Sequence, residues 1–228
     1  MSAKEQKKVE EDKSKILVVD DHPMVREGIA RLVDNEQDLM ICGQADDAPE
    51  ALKAISETKP DIAVVDVSLK SSSGIELMKS IKAQYPKLPV LVLSMHNEAL
   101  YAERALRAGA MGYIMKQEAS ENLLIAIRRV LGGQIYISDK VSKRLIRQLA
   151  RGRADIGTSS VDNLSDRELE VFHMIGLGCG TSQIAEKLYL SIKTIETYRT
   201  HIKKKLNLTD SRELLQYAIQ WVSSQKES

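Results

Sequence analysis

Short continuous apolar runs recur along the first 135 residues: Ile16 to Val19, Met40 to Cys42, Ile62 to Val65, Val90 to Leu93 and Gly112 to Met115. Between them, and once after the last, lie segments with helical spacing, such as Met24, Val25, Gly28, Ile29, Leu32 and Val33, or Leu123, Leu124, Ile127, Val130 and Leu131. Strands that are apolar throughout, rather than alternating, are expected when helices cover both faces of a parallel sheet. The pattern therefore predicts five βα units in a doubly wound α/β domain over residues 15–135, with right-handed crossovers.

After Ser138 the strand pattern stops. Ser138 to Arg151 reads as a basic helix carrying Lys140, Lys143, Arg144, Arg147 and Arg151, and Gly152 to Asn163 reads as a Gly/Ser/Asp-rich linker. Four helical segments follow: Asp166 to Ile175, Ser182 to Leu188, Ile192 to Leu206 and Ser211 to Val222. The predicted organisation is a disordered tail at 1–14, the α/β domain at 15–135, a linker with a helix at 136–161, and an all-α domain at 162–228.

Composition adds exclusions. The 228 residues are 43% hydrophobic and 29% charged, which suits globular domains, and 33 basic against 32 acidic residues make any anionic partner a matter of local patches. Cys42 and Cys179 are the two cysteines and have no metal-ligand spacing, so neither a disulfide framework nor a zinc site is implied. The polar Met1 to Lys15 segment excludes a secretory signal, and no apolar run is long enough to span a membrane, so a cytoplasmic location is expected.

Ligands of open parallel sheets gather outside the carboxyl ends of the strands. There the sequence places Asp20 and Asp21 after strand one, Asp66 after strand three, Ser94 after strand four and Lys116 after strand five. Any one of these acids alone reads as a helix cap or a solvated turn residue. As a set they read as an acidic pocket with its own cation, whose oxygen donors suit Mg²⁺.

Ile16-Leu-Val-Val-Asp-Asp-His-Pro, Val64-Val-Asp66, Leu93-Ser94 and Gly112-Tyr-Ile-Met-Lys116 resemble the receiver domain of two-component response regulators. The resemblance implies a flavodoxin-like fold, Asp66 as phosphoacceptor, Asp20, Asp21 and Asp66 as Mg²⁺ ligands, Ser94 and Lys116 as contacts to the incoming phosphoryl group, and Tyr113 as a switch aromatic. A Tyr at this sheet edge also has a plain amphipathic reading. The helix Glu98 to Ala108 holds mainly Leu100 and Leu106 as large apolar residues, so loose anchoring is expected. The loop from Val67 to Gly74 keeps its glycine but lacks the proline usual in the family, and Gln117 replaces another.

Leu188-Tyr-Leu-Ser191 lies between two helical segments with Thr181 and Ser191 placed as N-caps, the outline of a helix-turn-helix. Winding Ile192 to Leu206 sets Ile195, Ile202 and Leu206 on one stripe with Arg199 at its edge, and Lys193, Thr197, Thr200 and Lys204 opposite, flanked by Glu196, His201 and Lys203. Lys193, Arg199, Lys203, Lys204 and Lys205 stand against the single acid Glu196. The polar face suits double-stranded DNA: Lys193, Glu196, Thr197 and Thr200 near base edges, Lys203 and Lys204 near phosphates. An ordinary solvated amphipathic helix is the plainer alternative.

Leu164-Ser-Asp-Arg-Glu-Leu-Glu-Val, Ile184-Ala-Glu-Lys-Leu, Ser191-Ile-Lys-Thr-Ile-Glu-Thr and Lys205-Leu-Asn-Leu resemble the LuxR-type helix-turn-helix, although Tyr198 stands where many members have His. A receiver followed by this module resembles the NarL/FixJ-type response regulators. The resemblance implies a transcription regulator rather than an enzyme, catalysing only its own phosphoryl transfer and dephosphorylation. Its implied partners are a histidine kinase, DNA, RNA polymerase as a candidate, and a second copy of itself when phosphorylated or DNA-bound. Leu214, Leu215, Ala218, Ile219 and Val222 share one side of the last helix, part expected in the core and part pairing two such domains. A Mg²⁺-dependent phosphatase would need an Asp where Ser68 stands, and a flavin carrier a Ser/Thr/Gly-rich loop where Asp20-Asp-His-Pro stands. An orphan regulator that binds DNA without phosphorylation shares every motif.

Overall fold

The structure, a computed structural model, describes residues 13–69, 73–95, 98–150 and 160–226. The chain divides into two compact units, 1–147 and 148–228.

In the first unit, five parallel strands, β1 (Ser14–Val19), β2 (Leu39–Ala45), β3 (Ile62–Asp66), β4 (Val90–Ser94) and β5 (Gly112–Met115), lie in the order β2-β1-β3-β4-β5. Each apolar run of the sequence is found as a strand, and all but β5 extend beyond theirs. β3 and β4 are buried along their whole length, which is why they lack alternation. The helices are α1 (Pro23–Asp34), α2 (Ala48–Thr58), α3 (Gly74–Gln84), α4 (Glu98–Arg107) and α5 (Ala119–Leu131). One face of the sheet packs Ile16, Val18, Ile62, Val64, Leu91 and Leu93 against Ile29 and Val33 of α1 and Leu123, Ile127 and Val130 of α5. Beside β5, the Tyr113 amide donates to the Tyr136 carbonyl at 2.8 Å and the Tyr136 amide to Met111 at 3.0 Å, so this edge is partly paired rather than open.

The basic segment after Ser138 forms α6 (Asp139–Ala150). It is tied to α4 by two contacts: Ser138 Oγ donates to Glu98 Oε1 at 2.5 Å, and Arg144 Nη2 lies 3.4 Å from Glu103 Oε2. Of the disordered tail expected at 1–14, residues 1–12 lie outside the described residues, whereas Ser14 is already in β1; most of the expected Gly/Ser linker, 151–159, also lies outside. Its last part, Ser160–Asn163, is a 3-10 turn whose Val161 is buried in the second unit.

The second unit comprises α7 (Asp166–Gly176), α8 (Thr181–Lys187), α9 (Ile192–Leu206) and α10 (Ser211–Lys226). Its core joins Phe172 and Ile175 of α7, Ile184 of α8, Ile195 and Ile202 of α9, and Leu214 and Ala218 of α10. Tyr217 and Trp221 of α10 flank the Phe172 ring at centroid distances of 5.8 and 5.4 Å. α10 approaches α7 so closely that a Cβ on Gly176 would lie 2.5 Å from the Ala218 carbonyl, so only glycine fits. Of the five apolar residues expected on one side of α10, Leu214, Ala218 and Val222 are buried, whereas Leu215 and Ile219 remain 41% and 44% exposed.

Candidate functional site

Because all strands run in one direction, their carboxyl ends meet at one edge, in register: Val19 beside Val65, Asp66 beside Leu93, Ser94 beside Met115. The five residues selected from the sequence are thereby brought together. Lys116, in the 3-10 turn after β5, places Nζ 2.6 Å from Asp20 Oδ2 and 2.7 Å from Asp66 Oδ2. Asp20, Asp66 and Ser94 are all buried. Burial raises the Asp66 carboxyl to about 6, with the Lys116 charge pulling it down and Asp20 pushing it up. For Lys116, burial works against the charged form, but Asp66 and Asp20 outweigh it and its pKa lies above the ordinary lysine value.

Asp66 Oδ1 faces the Ser68 amide at 3.3 Å, and the Asp66 carbonyl meets α3 so tightly that a Cβ on Gly74 would come within 1.8 Å of its oxygen. The retained glycine is thus a steric necessity beside the phosphoacceptor candidate. Residues 70–72 of this loop, where the family's proline is missing, lie outside the described set.

Just beyond β1, the strand beside β3, the His22 amide donates to Asp20 Oδ1 at 2.9 Å, and Arg26 Nη1 of α1 donates to the Asp20 carbonyl at 2.5 Å. His22 Nδ1 lies 2.7 Å from Asp21 Oδ1 and 3.2 Å from Asp20 Oδ1. Sequence alone gives neither His22 nor Arg26 a role: His22 adjoins the paired acids, and Arg26 lies a helical turn further on in α1. Ligand atoms of Asp20, Asp21, His22 and Asp66 lie within 4.8 Å of one another. Three carboxylates grouped this way, with a single ammonium among them, fit a hard divalent cation such as Mg²⁺.

Tyr113 is buried, and a hydrogen bond joins it to Ser94; burial drives its hydroxyl pKa well above the usual tyrosine value. Its ring thus faces inward, not out along the sheet edge. Anchoring of α4 differs from expectation: Tyr101, Ala102 and Ala105 are fully buried, Leu106 is half-buried, and the Leu100 side chain lies outside the described residues. Small alanines admit a close approach and Tyr101 fills the gap, so counting large aliphatic residues underestimated this helix.

With Asp66 near 6, protonation of the attacking carboxylate is expected to slow chemical phosphorylation as pH falls. Initial rates of labelling by acetyl phosphate, taken from pH 7.5 to 5, should decline through the region of about 6 and stay flat above it. A rate that rises on acidification contradicts this.

In the second unit, α8, a tight turn and α9 form the helix-turn-helix. Tyr189 takes a left-handed φ of 52° in the turn, and Ser191 caps α9 by accepting from the Thr194 amide at 3.0 Å. The first cap differs from expectation: Gly180, not Thr181, is the N-cap, its amide donating to Gln183 Oε1 at 2.9 Å. Thr181, released from capping, donates its hydroxyl to Glu196 Oε1 at 3.1 Å. Glu196 is also 3.9 Å from Arg199 Nε, so its carboxylate is positioned by two neighbours. Thr197 and Thr200 donate to the Lys193 and Glu196 carbonyls at 3.0 and 2.9 Å, leaving hydroxyl lone pairs outward. Ile195, Ile202 and Leu206 are buried as the stripe requires, while Lys193, Glu196, Thr197, Thr200 and Lys204 are exposed and Lys203 is half-buried.

The base of α9 is held by Glu168, which caps α7 with Ser165 and pairs with Lys205 Nζ at 2.6 Å. Burial tends to raise the Glu168 carboxyl, but Lys205 and the Ser165 hydrogen bonds outweigh it and hold the pKa below the usual glutamate range. A carboxyl with a depressed native pKa stabilises the fold above the unfolded value of about 4.3 and loses that contribution as pH falls through the native value. Trp221, the one tryptophan, packs on Phe172 and reports on this unit. Melts followed by its fluorescence should show Lys205→Met less stable than wild type at pH 7, with the gap closing below about pH 4.

An acid pocket with an embedded lysine at the edge of a five-stranded parallel sheet, joined to a helix-turn-helix unit, defines a response regulator, and the chain belongs to the NarL/FixJ-type response regulators. Residues 16–128 match the response regulator receiver domain and 162–218 match bacterial regulatory proteins of the luxR family. The chain is 36% identical over 209 residues to the oxygen regulatory protein NreC of Staphylococcus haemolyticus, covering 90% of this chain and 96% of that protein. Among solved structures, RcsB from Salmonella enterica serovar Typhimurium bound to promoter rprA in the presence of phosphomimetic BeF3- is similar at TM-score 0.57 and 26% identity, over 90% of this chain and 98% of that one. A LuxR-family regulator from Aurantimonas sp. SI85-9A1 gives TM-score 0.56 and 33% identity, over 60% of this chain and 99% of that one.

Proposed function

We propose that a partner histidine kinase phosphorylates Asp66 and that this modification controls sequence-specific DNA binding and transcription. The carrying observation is Lys116, whose ammonium bridges Asp20 and Asp66 at 2.6 and 2.7 Å. The Asp66 carboxylate attacks phosphorus, forming an acyl phosphate as the bond to the donor breaks. Lys116 neutralises charge gathering on the phosphoryl oxygens. Bound at Asp20, Asp21 and Asp66, Mg²⁺ would supply charge neutralisation to the same oxygens. Ser94 donates its hydroxyl to the phosphoryl group, and Tyr113, on the inner side of Ser94, follows that engagement.

The chain's own catalysis is confined to this transfer and to hydrolysis of the acyl phosphate, in which water takes the phosphoryl group and the Asp66 carboxylate is regenerated. The response leaves through α4, whose Glu98 lies near the Tyr113 hydroxyl and holds Ser138 at the start of α6. Leu215 and Ile219, exposed on α10, support pairing of two DNA-binding units. RcsB has been seen on DNA with a phosphomimetic, which supports DNA as the partner of α9. Among the described residues, no helix is long and apolar enough to cross a membrane. Together with a promoter target and RNA polymerase as a candidate partner, this supports a cytoplasmic site of action.

DNA affinity and sedimentation, measured with and without acetyl phosphate, test the reading. Tighter binding and a shift toward dimer on phosphorylation are expected; unchanged affinity and mass would favour the orphan regulator.

A further inference from the structure

We propose that Ile192 and Tyr189 are specificity-determining residues for the DNA site, Ile192 meeting the 5-methyl group of a thymine in the major groove and Tyr189 lying against the sugar-phosphate strand beside it. The inference rests on the reading of α9 above and adds to it two apolar contacts and a base preference.

In the second unit, the large apolar side chains left exposed among the described residues are Leu177, Tyr189, Ile192, Leu215 and Ile219. Leu215 and Ile219 share one side of α10. Tyr189 and Ile192 stand three residues apart around the Ser191 cap, 77% and 55% exposed. Ile195 and Ile202 of the same helix are fully buried, so Ile192 is not part of the stripe that anchors α9. It lies one turn before Glu196 and two before Thr200, on the side of the helix assigned to base edges.

Tyr189 points to an outside contact independently. It follows Leu188, the C-cap of α8, at φ 52°, and is the bulkiest of the three described non-glycine residues with positive φ. Its amide donates to the Glu186 carbonyl at 3.2 Å and the Leu190 amide to the Ala185 carbonyl at 2.9 Å, a helix ending whose left-handed residue is ordinarily glycine. A Cβ disfavours that conformation, and a ring so exposed recovers little of the cost by packing within the unit. Strain that the fold itself does not use is expected where a partner uses the side chain.

Size and charge identify the partner. Two side chains are far too small a surface for a protein interface, which takes roughly 800 Å² from each side. They match one thymine methyl and the strand next to it, because thymine is the base with an apolar group on its major-groove edge. Exposed Lys187 and Lys193 bracket the pair and suit flanking phosphates, and the surface continues into the face of α9 that carries Glu196, Thr197 and Thr200.

The test uses the full-length protein on a DNA site obtained by randomised-site selection, with each thymine replaced in turn by deoxyuridine, which pairs alike and lacks the methyl. Wild type is expected to lose about fourfold in affinity at one thymine of each half-site, the worth of one buried methyl. Ile192→Ala should bind the thymine site more weakly and lose the difference between thymine and deoxyuridine at that position. Tyr189→Gly should melt at a higher temperature than wild type, because the left-handed strain is relieved, yet bind DNA more weakly. A flat deoxyuridine series in wild type, or the same thymine preference in Ile192→Ala, overturns the role of Ile192. A Tyr189→Gly variant that melts no higher, or binds as tightly as wild type, overturns that of Tyr189. Failure of wild type to select any sequence overturns instead the reading of α9 on which both rest.

Discussion

Wild-type protein incubated with acetyl phosphate and a divalent cation is expected to gain one phosphoryl group by intact mass, and Asp66→Asn none. Three acids share the pocket, but they are not equivalent. Asp20 is committed through Oδ2 to Lys116, through Oδ1 to the His22 amide, and through its carbonyl to Arg26. Asp21 faces His22. Asp66 ends the central strand between β1 and β4, beside Ser94, with Oδ1 engaged only by a long 3.3 Å contact to the Ser68 amide among the described residues. It is the carboxylate able to attack without first surrendering a close partner. An amide is a poor nucleophile, so Asp66→Asn removes the reaction while keeping the shape. Equal labelling of wild type and Asp66→Asn would assign the acceptor to another residue. Lys116→Ala is expected to label more slowly, because it leaves Asp20 and Asp66 with no neutralising ammonium between them.

The second large effect is expected on DNA. Lys193, Glu196, Thr197 and Thr200 stand on the exposed face of α9, whose opposite stripe of Ile195, Ile202 and Leu206 is locked in the core. A helix seated this way presents its amino-terminal half to base edges and its lysine-rich end to phosphates. In a randomised-site selection, Thr197→Ala should alter the preferred sequence at a cost of about 1–3 kcal/mol per lost specific contact. Lys204→Ala should weaken all sites alike and reduce the salt slope by about 1. Glu196→Gln should also act on sequence preference, and the Thr181 hydroxyl at 3.1 Å gives it a fixed position from which to do so. Two variants with indistinguishable site profiles and salt slopes would place the reading surface on another element.

Periodicity is a local property, and what depended on it was legible in the chain. Continuous apolar runs mark strands covered on both faces, so β1 to β5 and their helices could be located before any coordinate was known. The parallel sheet then follows, and with it the convergence of Asp20, Asp21, Asp66, Ser94 and Lys116, because residues at like ends of parallel strands must meet. The stripe on α9 was legible for the same reason: 3.6 residues per turn fixes which side chains share a face.

What neighbours contribute is not written in any one segment, and there only the tertiary structure decided. Whether α4 was firmly held depended on Tyr101 and two alanines finding a close surface, not on its count of leucines. Thr181 could equally cap α8 or reach out, and the approach of Glu196 from the next helix settled it. Tyr113 had two directions open at a sheet edge, and burial beside Ser94 chose the inward one. The apolar side of α10 was visible as one face, but its division into buried Leu214 and exposed Leu215 depended on where α7 ends its cover. His22 is the clearest case: it adjoins two acids in sequence, but only the turn from β1 into α1 brings its ring nitrogen within 2.7 Å of Asp21 Oδ1, because side-chain separations depend on backbone geometry that sequence spacing does not fix.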